Sequence, residues 1–137
     1  MNKLILTALA TITFSTAAQA SFQVIANSEF GKTSISKSDL TNIFTGLTTS
    51  WGGKNVKVCV MESSTGTAKA FLGAIGSEPG KFDQDWIKRE LSGQGTAPES
   101  KSTTDAMVSC VKQSGGIGYI PAADAGKAEG VSKLSVN

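Results

Sequence analysis

The feature that most constrains this chain is a short β-branched run that passes directly into a helical pattern. Residues 56–60 are apolar at alternate positions, as in a strand that lies inside a sheet. Apolar residues then recur between positions 68 and 75 at the spacing of one helix face. The same alternation returns along the chain. Strands that alternate with helices predict an α/β domain with a mostly parallel sheet flanked by helices.

Local composition predicts three further strands and one long loop. The β-rich runs at residues 22–27, 117–120 and 131–136 predict strands. Residues 93–102 contain two glycines and a proline without a clear period, which is typical of a loop.

A helix is predicted over residues 40–47, where apolar side chains follow the i, i+3, i+4, i+7 spacing and place Leu47 on the apolar face. Ser36 and Asp39 form a capping box in front of this helix. Gly46 is a suitable residue for its end.

Two more helices are predicted downstream. Residues 81–91 form the first, and its carboxylates, Asp83 among them, alternate with basic residues as on a solvated face. Ser102 and Asp105 form a second capping box, and the helix behind it would end at the glycine pair that follows.

The segment between the 56–60 strand and the helix behind it is rich in hydroxyl side chains. A strand that turns into a helix through small residues leaves the first helical N–H groups unpaired. Those groups, with the positive end of the helix dipole, form a site suited to an anion. The candidate ligand-binding residues are Ser63, Ser64, Thr65, Gly66 and Thr67.

The first 20 residues predict a cleavable secretory signal. Lys3 gives a positive start, residues 4–14 are largely apolar, and an A-x-A sequence ends at Ala20. The apolar run is short for a membrane span. We therefore expect export to the periplasm, cleavage after Ala20, no later membrane insertion, and a single α/β domain over residues 21–137.

Composition excludes several classes of function. Removing Lys3 from the 13 basic residues leaves 12 against 11 acidic ones, a net charge of +1. With no basic cluster, this gives no electrostatic case for binding nucleic acid. The chain has no histidine and only two cysteines, so Ser-His and Cys-His catalysis is excluded and the common metal sites lose their main ligands. We expect a non-enzyme without metal or cofactor.

The two cysteines have a structural use. Cys59 falls in the 56–60 strand and Cys110 in a later helical stretch. In an oxidising compartment two cysteines usually pair, so a disulfide that joins helix to sheet is predicted. Two separate buried thiols remain the alternative.

Three segments in order carry a resemblance to a known family. Residues 43–51 read IFTGLTTSW, residues 64–67 read STGT before Phe71, and residues 115–120 read GGIGYI. Together they resemble the phosphate-binding substrate-binding proteins of ABC-type importers. The resemblance implies a single lobe of a type 2 periplasmic-binding-protein fold, and phosphate or a similar oxyanion as ligand.

Two departures from that family bear on the ligand. If Thr65 aligns with the serine of the family's phosphate loop, the arginine that the family places four residues earlier is replaced by Met61, and the sole arginine is Arg89. The family's other lobe begins upstream of residue 22, where only the predicted signal stands. We therefore expect weak oxyanion binding unless a second chain, or self-association, covers the open cleft.

The same departures keep another interpretation open. Residues 63–67 could be an ordinary helix cap that is satisfied by its own hydroxyl groups. In that case the chain would be a non-catalytic periplasmic interaction protein, or scaffold, that has lost ligand binding. The glycines at positions 116 and 118 are expected to supply a helix stop and a tight entry to a strand. Tyr119 is expected to serve packing rather than recognition.

Overall fold

The computed structural model describes residues 21–137. The predicted signal at residues 1–20 and its cleavage after Ala20 lie outside the described residues. Within residues 21–137 there are four α-helices: α1 (Lys37–Phe44), α2 (Gly66–Ala74), α3 (Pro79–Leu91) and α4 (Thr104–Val111). The strands are β1 (Phe22–Asn27), β2 (Ser34–Ile35), β3 (Ser50–Trp51), β4 (Lys54–Asn55), β5 (Lys57–Met61), β6 (Glu99–Lys101), β7 (Gly116–Pro121) and β8 (Val131–Val136).

Six of these strands form one sheet in the order β2-β8-β1-β7-β5-β6. Strand β1 is antiparallel to both of its neighbours, β7 and β8. The pairs β2–β8, β5–β7 and β5–β6 are parallel, so all strands except β1 point the same way. The predicted mostly parallel α/β sheet is confirmed. Strands β3 and β4 form a separate hairpin.

Successive residues of β7 show that helices cover both faces of the sheet. Tyr119 stacks on Phe71 of α2 with ring centroids 4.0 Å apart. A Cβ at the neighbouring Gly118 would instead meet Met107 of α4 at 3.0 Å. Since successive side chains of a strand point to opposite faces, α2 and α4 lie on opposite sides of the sheet.

The close approach of α4 to the sheet explains why position 116, where the sequence predicted a helix end, is a glycine. A Cβ at Gly116 would lie 2.2 Å from the backbone oxygen of Val111. No side chain fits at that distance, so Gly116 permits the close contact between the end of α4 and the start of β7.

Helix α1 confirms one predicted cap and corrects one predicted side chain. The N–H of Asp39 donates to Ser36 Oγ at 3.0 Å, as in the predicted box. The helix ends at Phe44, and Gly46 takes a φ of 79°. This turn directs Leu47 away from the core, where it is 68% exposed, so its predicted place on the buried face is wrong.

The predicted loop at residues 93–102 and the second capping box also need correction. The loop contains β6, which pairs with β5 and is too short and polar to show an apolar period. The cap of α4 is Thr103, whose hydroxyl accepts the N–H of Ala106 at 3.1 Å, so the predicted cap at Ser102 is one residue early.

The predicted disulfide is present between Cys59 of β5 and Cys110 of α4. Both residues are buried in the core, which also contains the aromatic side chains Phe44, Phe71 and Tyr119. From residue 21 to residue 137, no helix combines the length and apolar character that a membrane crossing requires.

Candidate functional site

The candidate site begins where β5 ends. The chain leaves the sheet after Met61, turns through residues 62–65 and enters α2 at Gly66. The N–H of Glu62 still donates to the carbonyl of Lys101, at the end of the parallel neighbour β6. The loop therefore lies at the edge of the sheet where the carboxyl ends of β5 and β6 meet.

Thr65 is the N-cap of α2, and its hydroxyl is engaged within the loop. Its Oγ1 accepts the N–H of Ala68 at 3.1 Å and donates to the carbonyl of Glu62 at 2.9 Å. The helix-cap interpretation is therefore correct for this residue. A ligand at the loop would not receive the Thr65 proton unless the bond to Glu62 were broken.

The first two backbone N–H groups of α2, unlike the Thr65 hydroxyl, are not engaged by any described residue. The N–H groups of Gly66 and Thr67 have no hydrogen-bond partner among residues 21–137, as expected at a helix start. Gly66 is exposed and Thr67 half-buried, so both amides are open to a small ligand. Within the same residues, the side-chain oxygens of Ser64 and Thr67 are also free of protein partners.

A carboxylate contacts the loop that precedes these amides. Ser63 Oγ donates to the two carboxylate oxygens of Asp83, on α3, at 3.2 and 3.4 Å. The exposed Glu62 is adjacent in sequence. Two negative charges at the loop oppose the binding of an anion and weaken the attraction of the helix dipole.

The residue at the position that corresponds to the family's arginine is apolar and buried. Met61 is 6% exposed, and its N–H donates to the hydroxyl of Tyr119 at 3.1 Å. Burial raises the pKa of Tyr119 to about 12, although the bond from Met61 acts in the opposite direction. Tyr119 thus holds the end of β5 in place, as well as packing against the aromatic core.

Arg89 and Lys101 are engaged by other groups and do not take the place of the arginine, whereas Lys69 differs from them. Arg89, on α3, donates to the carbonyl of Gly46 at 3.4 Å, in a different part of the fold. Lys101 pairs with Glu99 at 3.2 Å. Lys69, in the first turns of α2, is exposed and has no ion pair with any described residue.

Sequence reasoning thus located the loop and missed its neighbour Asp83. Asp83 lies in a run of alternating charges that has the pattern of a solvated face, and its side chain is indeed exposed. Its contact with Ser63 depends on how α3 packs beside α2. The local sequence carries no signal for that contact.

No protein-family model matches the chain, and no curated protein matches it by sequence. Solved structures do match its fold. PstS from Borrelia burgdorferi matches 85% of this chain with 21% identity and a TM-score of 0.65. An ABC-type phosphate transport receptor from Vibrio cholerae also matches 85%, with 17% identity and a TM-score of 0.64.

A third match is a structure with bound phosphate from Clostridium perfringens, described as a phosphate ABC transporter substrate-binding protein. It shares 20% identity over 85% of this chain, with a TM-score of 0.64. The match covers only 47%, 46% and 44% of the three solved chains, in the order given. The described residues thus have the fold of one lobe of a PstS-like periplasmic binding protein.

Proposed function

We propose that this chain is an exported, non-catalytic module of the solute-binding type that binds phosphate or a similar small oxyanion weakly at the start of α2. The observation that carries the proposal is the pair of unpartnered amides at Gly66 and Thr67, at the carboxyl edge of a parallel sheet. Helix starts of this kind attract anions through their N–H groups and dipole. The structural neighbours that bind phosphate support the choice of ligand.

The contacts around the loop support weak binding. Met61 offers no charge, the Thr65 hydroxyl is engaged, and Asp83 adds a negative charge. Each missing charged hydrogen bond costs about 1.5–3 kcal/mol, or roughly ten- to a hundredfold in affinity. The isolated chain is therefore expected to bind an oxyanion only weakly. A second protein, or a second copy of this chain, over the open cleft would raise the affinity.

Calorimetry on a matched pair of variants tests this proposal. Gly66 is the first residue of α2, and Thr65 before it has a ψ of 146°, so proline fits at position 66 without strain. Gly66→Pro removes one amide donor, whereas Gly66→Ala keeps it, and a Cβ at this position meets no atom within 4 Å.

We expect heat on titration with phosphate or sulfate for the natural chain and for Gly66→Ala, and none that is measurable for Gly66→Pro. Thermal unfolding of both variants provides the control for folding. Equal heats for the two variants, or no heat from the natural chain at millimolar ligand, would refute binding at the helix start.

A second candidate function is a periplasmic interaction protein that has lost its small ligand. The bond from Ser63 to Asp83 favours it, because a carboxylate already occupies part of the surroundings that an anion would need. If calorimetry shows no heat, crosslinking of the exported protein tests this alternative. A specific partner, or a self-associated form in sedimentation, supports it, and a monomer without partners contradicts it.

Export by a cleaved signal is part of the proposal and has its own test. The mature protein should begin at Ser21, which a mass measurement on the exported protein determines directly. A first residue in the range 1–20 would contradict cleavage after Ala20.

A further inference from the structure

A cavity of about 320 Å³ lies beneath the segment that joins α3 to β6. Its walls come from the end of α1, from the start of β5 and from α3, where Ile43, Val58 and Trp86 line it. Residues 94–98 also line it, and we call this segment the cover. We call this space the loop-covered cavity.

Part of the apolar surface around the cavity is not fully buried by the fold. Val60 of β5 is only 7% exposed. Val58 on the same strand, Val56 before it and Ala97 in the cover are only half-buried, and all three line the cavity. Apolar surface that the fold leaves open inside a concave site is the surface that apolar ligands usually cover.

The cover is attached at few points. The N–H of Ala97 donates to Glu90 Oε1 at 2.7 Å, and the N–H of Gln94 donates to the carbonyl of Arg89 at 2.8 Å. Between these two bonds, Gly95 has a φ of 140° and, like Thr96, is exposed. The exposed middle of the cover therefore lies between two hydrogen-bonded ends.

The charges that line the cavity are paired with each other. Lys57 and Glu99, which have opposite signs, lie 3.7 Å apart. A hydrogen bond from Lys101, with a further contribution from Lys57, lowers the pKa of Glu99 and keeps it ionised. A charged ligand would therefore find no unpaired opposite charge among the described residues that line the cavity, which favours an uncharged ligand.

We propose that the loop-covered cavity binds a small, uncharged, largely apolar organic molecule of about one ring. Its volume is at the lower end of the range for ligand sites, about 300–1,000 Å³. The site lies at the amino end of β5, whereas residues 63–67 follow its carboxyl end. The strand separates the two by roughly 16 Å at about 3.3 Å per residue, so this site does not depend on the proposed oxyanion site.

Titration followed by amide and indole NMR signals tests the proposal. The probes are benzyl alcohol, benzoate and benzylamine, which have similar shapes and differ in charge. Benzyl alcohol should shift the signals of Trp86, Gly95 and Thr96 in a saturable way, while the amides of β8, which line no part of the cavity, serve as an internal control. No saturable shift with benzyl alcohol, or stronger binding of benzoate, overturns the proposal.

Two variants locate the binding. Ala97→Phe fills the cavity from its cover and should weaken the binding of benzyl alcohol at least tenfold. Ala123→Phe adds the same ring at an exposed position away from the cavity and should leave it unchanged. If Ala97→Phe does not fold, Val56→Phe fills the cavity from the strand side. Undiminished binding in a folded cavity-filling variant refutes the site.

Discussion

Alkaline pH is a direct test of how Tyr119 holds the end of β5 beside the candidate site. The ring is 1% exposed and its hydroxyl accepts the N–H of Met61. Burial raises the pKa of Tyr119 from 10.0 to about 12. Between these two pH values the unfolded chain releases the phenol proton while the folded chain keeps it, so the unfolded state gains stability as the pH rises.

The size of this loss of stability follows from the shift in the pKa of Tyr119. Two pKa units correspond to roughly 2–3 kcal/mol of folding free energy. This contribution is fully present below about pH 10 and is lost as the pH rises to about 12. Tyr119→Phe keeps the aromatic ring but leaves the N–H of Met61 buried without a partner, which costs about 1–3 kcal/mol at neutral pH.

Because Tyr119 is the sole tyrosine in the chain, tyrosinate absorbance reports this one group. We expect the folded protein to titrate well above pH 10, and the stability difference between the natural chain and Tyr119→Phe to shrink as the pH rises. Lysine titration affects both proteins alike, so the difference isolates the phenol. A phenol that titrates near pH 10 in the folded protein would refute its burial and its bond to β5.

Three further predictions concern packing, charge and covalent structure. The substitutions Gly46→Ala and Gly53→Ala should each lower the free energy of unfolding by about 1–2 kcal/mol. The reason is that φ is 79° at Gly46 and 80° at Gly53, in the left-handed region that disfavours a side chain. Gly46→Ala should lower the free energy of unfolding by about 1–3 kcal/mol more than Gly53→Ala does, because its Cβ would lie 2.7 Å from the indole ring of Trp86. Equal losses for the two variants in urea unfolding would contradict this packing. Asp83→Asn should strengthen phosphate binding roughly two- to fivefold in calorimetry, and an unchanged affinity would mean that the carboxylate does not act on the loop. Reduction of the disulfide between Cys59 and Cys110, 51 residues apart, should lower the free energy of unfolding by about 4 kcal/mol, which an unchanged denaturation midpoint would disprove.

The sequence was sufficient to predict the long elements, because their apolar periods are strong. The strand predicted at residues 56–60 is β5, displaced by one residue, and the runs at residues 22–27 and 131–136 are strands with the predicted bounds. Strands β2, β3, β4 and β6 were missed. Each has only two or three residues, too few for a period to show, and each exists because it pairs with another strand.

The candidate site divides in the same way. The hydroxyl-rich loop and its helix start are local, and the sequence located them. The bonds that shape the site connect distant residues: Ser63 reaches Asp83 across 20 positions, and Met61 reaches Tyr119 across 58. Such contacts depend on how α3 and β7 pack, so no local pattern could reveal them.

The disulfide also gives the chain a closed covalent loop. Residues 59–110 form a ring that contains the hydroxyl-rich loop before α2, α2 itself, α3 and the cover of the cavity, while β1, β7 and β8 lie outside it. A protease that cuts the exposed segment at residues 93–96 would open this ring without releasing a fragment. Such a nicked molecule gains only the mass of one water, and it separates into two pieces only when the disulfide is reduced. The segment that covers the cavity can therefore be severed while both candidate sites stay on one molecule.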